Sequence, residues 1–192
     1  MKNPFANPLA GATVVRISLA FRCPNRGASS VLGRLDTLAS ASDPSSLDGI
    51  ANLGADAALL LLRRSGEWLA CSGTVEHFGE DDAALSSFDR LVIREAAKFD
   101  HEAQLGSVDL AKPTVAVVSA IACLMGDREA VVGKTSFPGD AVATRSALEE
   151  VAAVANGADE LYGFELLWVP GDEEGELDMD DVARDWPDLM PC

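Results

Sequence analysis

The chain has 192 residues, and its 31 Asp and Glu against 15 Lys and Arg give a formal net charge of −16. A hydrophobic fraction of 48% with 24% charged residues is typical of a folded globular protein and argues against a disordered chain. This charge argues against nucleic-acid binding and against general binding to anionic lipid, since both need a cationic surface.

The first half of the chain predicts a tail, two strands and two helices. Residues 1–11 have no regular pattern and are predicted to be a tail, while 12–192 form a single domain. Dense β-branched residues predict a strand at 13–21, and leucines at helical spacing predict a helix near 32–38. Ser45 and Asp48 have the spacing of a capping box, so a second helix begins there and ends near Arg64. A strand follows at 67–77, with a bulge expected at Gly73.

The second half adds further helices and strands. An apolar stripe predicts a long helix that runs to Phe99 and is followed by a polar connection at 100–112. The apolar run 114–124 is predicted to be a central strand, with a buried helix as the alternative, and it is too short to span a membrane. A loop at 126–140, a helix at 146–155, a strand at 162–169 and a short helix from Asp178 complete the chain.

Together these elements predict an α+β fold. We expect a two-layer sandwich with an antiparallel or mixed sheet of about four strands and several amphipathic helices. Periodicity also predicts the core, which comprises Val15, Ile17, Leu35, Leu38, Ile50, Leu53, Leu60, Phe88, Leu91, Val117, Ile121, Phe164, Leu166 and Trp168.

No catalytic, cofactor or metal site is predicted from motifs. The four cysteines include no C-x-x-C pair, and His77 and His101 are 24 positions apart with no partner at helical spacing. Gly133-Lys134-Thr135 resembles the end of a phosphate-binding loop, but the motif needs a glycine at the position of Arg128. We therefore expect that Lys134 does not bind nucleotide phosphates.

The charges are unevenly distributed along the chain. Residues 1–35 contain five basic residues and no acid, whereas 147–192 contain 14 acids and one arginine. The basic N-terminal stretch is either a transit peptide or, as we favour, a basic first strand and helix. If the protein approaches an anionic membrane, this stretch has the positive charge that such a surface attracts. Its basic residues are Lys2, Arg16, Arg22, Arg26 and Arg34.

The acidic end is predicted to bind a protein partner through that partner's basic groups. The alternative is a solvated surface that only keeps the protein soluble. A calcium loop is not indicated, because placing Gly175 at the sixth loop position puts Pro170 at the first. The predicted partner-binding residues are Asp172, Glu173, Glu174, Glu176, Asp178, Asp180 and Asp181.

Four stretches of the chain, spread over 14–189, resemble a domain family of unknown function from cyanobacteria and plastids, which includes plant proteins linked to acclimation to fluctuating light. Within them, Val169 replaces a usual Thr and Trp186 a usual Tyr. The stretches are Arg16-Ile-Ser18; Asp43-x-Ser-Ser-x-Asp-Gly49 with 58–63 and Glu67-Trp68; Phe88-Asp-Arg-Leu91 with Lys98-Phe99; and 161–170 with Trp186-Pro-Asp-Leu189.

The resemblance implies a non-enzymatic accessory or regulatory role, exerted through protein contacts near thylakoid or envelope membranes. It implies a location in the chloroplast, either in the stroma or peripheral to a membrane, or in the cyanobacterial cytoplasm. Many members carry a Gly-rich segment and a transmembrane helix before this domain, and neither is present in this sequence. The sequence is then either that of a soluble variant or one that starts after a removed segment, and peripheral membrane association stays open. The alternative function is an uncharacterised enzyme or a small-ligand-binding protein.

Overall fold

The architecture is that of a computed structural model, which describes residues 10–25, 27–102, 115–155, 160–170 and 177–192, without the side chains of 100–102 and 155. Most of the predicted tail therefore lies outside the described residues, and the polar connection lies outside them except at its start.

A five-stranded antiparallel sheet forms the centre of the molecule. Its spatial order is β4-β3-β1-β2-β5, and every neighbouring pair is antiparallel. The α+β class with its antiparallel sheet is confirmed, and the run predicted as a central strand is indeed β3. The fifth strand arises because the C-terminal residues pair with β2. The strands are β1 Ala12–Arg22, β2 Trp68–Phe78, β3 Val115–Met125, β4 Leu161–Val169 and β5 Met190–Pro191.

Helices cover both faces of the sheet. On the first face, α1, α2 and α5 enclose the largest apolar cluster, which includes Ile17 and Leu19 of β1. Helix α3 crosses the second face and packs on β1, β3 and β4, adding a third layer. The helices are α1 Val31–Ala41, α2 Leu47–Arg63, α3 Asp81–Glu102, α4 Glu129–Val132, α5 Ala141–Ala155 and α6 Met179–Asp185.

The predicted core is buried in the strands and half-buried in the helices. Every predicted strand residue except Trp168 is buried, whereas among the predicted helix residues only Leu35 is buried. The difference arises because the helices form the outer layers, so a residue beside the central apolar stripe of a helix still reaches solvent.

Several local predictions need correction. Ser46, not Ser45, caps α2, because its hydroxyl accepts the Gly49 amide at 3.0 Å. Gly73 pairs regularly with Ile17 and forms no bulge; a Cβ there would lie 2.1 Å from the Phe137 ring, so the glycine is needed for close packing.

Two predicted boundaries also differ from the structure. Helix α3 continues past Phe99 to Glu102, so it takes in the start of the predicted polar connection. The predicted loop at 126–140 contains the one-turn helix α4, which ends at Gly133 in a left-handed conformation with φ of 74°.

Candidate functional site

Three serines form a buried polar row across the centre of the second sheet face. Ser18 of β1 lies opposite Ser72 of β2 and Ser119 of β3 in the strand register. The Oγ atoms of Ser18 and Ser119 are 2.6 Å apart, and all three residues are at most 1% exposed. Apolar clusters lie on either side of this row, so the serines must hydrogen-bond within the protein.

Arg16 lies beside this row on the same face and is only 6% exposed. Its Nη2 atom is 2.6 Å from a carboxylate oxygen of Asp188, and its Nη1 atom donates to Ser18 Oγ at 3.3 Å. The same Nη1 atom lies 3.8 Å from a carboxylate oxygen of Glu95 on α3. A buried guanidinium is stable only when acids and hydrogen bonds compensate for its lost hydration, and here both are present.

Glu95 and Lys98 complete what we call the charge cluster, defined as Arg16, Glu95, Lys98 and Asp188. They lie one turn apart on α3, and Lys98 Nζ donates to both carboxylate oxygens of Glu95 at 3.1 and 3.0 Å. Glu95 is 1% exposed and is also approached by Arg94 Nε at 3.7 Å. Three cations therefore surround one fully buried carboxylate.

The C-terminal segment delivers Asp188 to the cluster. Trp186 is fully buried and its ring meets Phe99 of α3 edge-on at 5.3 Å, while Leu189 is buried beside them. The Leu189 amide donates to the Trp186 carbonyl at 2.9 Å, which closes the turn that carries Asp188. Anchoring of the indole therefore places the carboxylate beside Arg16.

The environment of Asp188 makes it a weak base. Burial raises its pKa, but the charge and hydrogen bond of Arg16, the charge of Lys98 and a hydrogen bond from Ser72 together hold the pKa below its usual value. Ser72 Oγ donates to this carboxylate at 3.0 Å. Activation of a serine needs a base ready to take its proton, and a carboxylate stabilised in this way is poorly suited to that task.

An open cleft of about 450 Å³ adjoins the charge cluster between α3 and β2. Thr74, on its sheet wall, lies opposite Arg16 in the strand register, and Arg94, on its helix wall, contacts Glu95. We call this space the α3–β2 cleft; its lining residues are Val14, Thr74, Glu76, Ser87, Arg90, Leu91 and Arg94.

The acidic residues predicted to bind a partner are described only in part. Asp178 caps α6 by accepting the amides of Asp180 and Asp181, and Asp181 accepts the Asp178 amide in return. Asp181 also pairs with Arg184 at 3.0 Å, whereas Asp180 is exposed. Asp178 and Asp181 therefore have a local structural role, which leaves a binding role open. The remaining predicted residues, Asp172, Glu173, Glu174 and Glu176, lie outside the described residues.

The loop that resembles a phosphate-binding loop is used for sheet pairing. The Phe137 and Gly139 amides donate to carbonyls of β2 at 3.0 and 2.8 Å, and the Thr135 carbonyl accepts the Val75 amide. Lys134 pairs with Asp140. Within the loop itself, the Val131 and Gly133 amides donate to the Arg128 and Glu129 carbonyls at 3.2 and 2.9 Å, so these two amides are not available to wrap a phosphate. The expectation for Lys134 stays a prediction.

The basic N-terminal residues do not form one surface. Arg16 is buried in the charge cluster, whereas Arg22 and Arg34 are exposed. The predicted membrane-facing basic surface is therefore wrong as far as Arg16 is concerned, because α3 covers the face of β1 on which this arginine lies. Lys2 and Arg26 lie outside the described residues.

The sequence motifs did not identify the charge cluster, although parts of it were visible. Arg16, Ser18, Lys98 and Asp188 all lie in stretches that carry the family resemblance. Arg16 and Ser18 also alternate with Val15 and Ile17, so they were bound to share one face of a strand. Glu95 and Ser72 had no comparable signal.

Within the described ranges, no group of three or more His, Cys, Asp and Glu residues is arranged to hold a metal ion. None of the helices in those ranges combines the length and hydrophobicity that a membrane-spanning helix needs.

A family model described as a protein of unknown function (DUF1517) matches residues 11–192, nearly the whole chain. Neither a curated protein nor a solved structure matches the chain.

Proposed function

The chain belongs to the DUF1517 family of proteins of unknown function, and we propose that it is a non-enzymatic accessory domain of a photosynthetic compartment that acts by binding protein partners. The observation that carries the proposal is that the charged side chains of the charge cluster form ion pairs with one another. Arg16, Glu95, Lys98 and Asp188 bind one another rather than a space that a substrate could fill. Such a cluster fixes α3 and the C-terminal turn on the sheet.

The photosynthetic setting is supported by the resemblance over 14–189. On this proposal the protein is in the chloroplast, in the stroma or peripheral to thylakoid or envelope membranes, or in the cyanobacterial cytoplasm. The accessory role is that of a regulatory domain, which brings partners together and transforms no substrate itself.

The proposed partner carries a basic surface. Of the described acids near the C-terminus, Asp180 is exposed at the start of α6, and Asp178 and Asp181 lie beside it. The preceding acids, Glu173, Glu174 and Glu176, extend the same negative charge along the sequence. A negative field of this kind accelerates encounter with a cationic protein and repels bare anionic lipid.

The test is capture of partners by the immobilised full chain from an extract of the photosynthetic cells that make it, with membranes included. Binding through the acidic segment should weaken steeply between about 50 and 300 mM salt, because the Debye length falls below about 10 Å. Replacing Glu173, Glu174 and Glu176 with Gln should reproduce that loss at low salt.

A matched variant separates a docking site from overall charge. Asp56→Asn, Glu76→Gln and Glu149→Gln remove the same charge from exposed positions elsewhere and should leave capture unchanged. If the two triple variants capture the same partners equally well and with the same salt sensitivity, the acidic segment is only a solvated surface, and docking there is refuted.

A second candidate function is binding of a small anion in the α3–β2 cleft. Arg90 and Arg94 lie one turn apart on its helix wall, with Ser87 beside them. Two guanidinium groups at this spacing suit a carboxylate or phosphate ligand. Citrate and orthophosphate should then raise the melting temperature of the wild-type chain but not of Arg90→Met; equal shifts in both proteins would exclude the cleft.

A further inference from the structure

The outer edge of β4 is free of a strand partner among the described residues. Strand order places β4 at one end of the sheet, where its nine residues pair on their inner side with β3. The opposite edge of the sheet differs, because β5 and hydrogen bonds from 135–139 cover β2. As far as the described residues show, the outer edge of β4 therefore presents unpaired backbone N–H and C=O groups to another chain.

This edge is long and apolar for an exposed strand. Its sequence is Leu-Tyr-Gly-Phe-Glu-Leu-Leu-Trp-Val, and Tyr162, Leu167 and Trp168 are half-buried rather than enclosed. Soluble proteins normally protect such an edge with proline, a bulge or charges. The irregularity in register near Cys123 and Leu124 affects only the beginning of β4, so most of the edge is regular.

Glu165 is the single charged residue of β4 and lies at its centre. Burial raises the pKa of this carboxyl, and no described residue pairs with it. Two acids of α3 lie near the beginning of β4. Asp81 accepts the Tyr162 hydroxyl at 2.8 Å, and burial together with the charges of Asp81 and Asp89 raises the pKa of Cys123 to about 11. A basic residue on an added strand, placed opposite Glu165, would therefore meet a carboxylate that has no partner among the described residues.

Pairing of β4 with a second copy of itself is disfavoured by the same residue. The longest antiparallel pairing places Leu161 opposite the copy's Val169, and this register puts the two Glu165 side chains directly opposite each other. Directly opposed side chains have Cβ atoms about 5 Å apart, and like charges at that distance destabilise the pair. A partner strand with Lys or Arg opposite Glu165 would instead be stabilised by attraction between the two opposite charges.

We propose that the outer edge of β4 binds an extended segment of a partner protein that carries Lys or Arg opposite Glu165 and apolar residues on either side. Backbone hydrogen bonds to the free edge would supply affinity, and the central charge pair would supply selectivity and register. The inference rests on the proposed function, since it specifies how a partner with basic groups is held.

The probe is a capped nine-residue peptide of alternating Thr and Val with Lys at its centre, and its control has Glu at the centre. By fluorescence anisotropy of the labelled peptides, the Lys peptide should bind wild-type protein about tenfold more tightly than the Glu peptide, because opposed charges attract and like charges repel. Glu165→Gln should largely abolish this preference and Glu165→Lys should reverse it. The matched control Glu149→Gln, an exposed acid of α5, should preserve it.

Amide hydrogen exchange locates the bound peptide. Slower exchange should appear at alternate residues of β4 and not along β2. Equal binding of both peptides, protection elsewhere on the chain, or a wild-type dimer that already protects β4 at neutral pH would each overturn the proposal, and the last would make a second copy the occupant.

The partner-capture experiment separates this proposal from the proposed function. If peptides fail to distinguish Glu165 variants while partners are still captured by Glu165→Lys, the edge assignment is wrong and the accessory function stands. If peptides bind as expected but no salt-sensitive partner is captured, the edge assignment stands and the accessory function falls. Circular dichroism melting of each variant confirms that it is folded.

Discussion

Replacing Arg16 with Met tests whether the charge cluster holds the second sheet face together. The substitution keeps most of the side-chain volume but removes the cation that lies 2.6 Å from Asp188 and 3.8 Å from Glu95. Removing one partner of a buried ion pair typically costs about 3–5 kcal/mol. Glu95 keeps Lys98, and the side chain of Asp188 is 37% exposed and can be hydrated, so we expect the lower end, about 3 kcal/mol.

The assay is urea unfolding followed by circular dichroism at pH 7. The control is Lys134→Met, which removes an exposed cation from its pair with Asp140 and should cost at most about 1 kcal/mol. Adding Asp188→Leu to Arg16→Met should recover part of the loss, since removing both charges leaves no unpaired ion. A loss below about 1 kcal/mol for Arg16→Met would refute the argument that this cluster behaves as a buried pair.

Three further predictions concern Asp188 in the charge cluster, Glu165 on β4 and the contact of Phe88 with Gly163. The folded pKa of Asp188 lies below its unfolded value of about 3.9, so its stabilising effect is present above that pH and is lost as pH falls through the folded pKa. In urea titrations, Asp188→Asn should destabilise the protein at pH 7, and its difference from wild type should shrink as pH falls below about 3.9. The raised pKa of Glu165 has the opposite sign, so stability is lost as pH rises through that folded pKa, and Glu165→Gln should melt higher than wild type at pH 7 but not at acid pH. Phe88 packs on Gly163, with two ring carbons 3.1 and 3.2 Å from where a Cβ of residue 163 would lie. Phe88→Ala should lower the free energy of unfolding by about 3 kcal/mol, and an unchanged midpoint of urea unfolding would contradict this packing.

The short-range features of the fold were predictable because local residue patterns determine them. Alternation in β1 and helical spacing in α2 depend on neighbours a few positions away, and the strands and helices predicted from them are present. The predicted cap of α2, Ser45, precedes the observed cap, Ser46, by one residue. Both serines are suitable caps, and the choice between them depends on the backbone conformation of Asp43-Pro-Ser-Ser. Pairing of the C-terminal residues with β2 has no local signal and was missed.

Alternation along β1 by itself determines that Arg16 and Ser18 share one face and that Val15 and Ile17 share the other. An amphipathic strand of this kind ordinarily turns its polar face to water. Only the tertiary structure decided otherwise, because α3 crosses that face and the turn after Trp186 brings Asp188 onto it. Burial of a residue is a property of what covers it, and here the covering residues are distant in the chain.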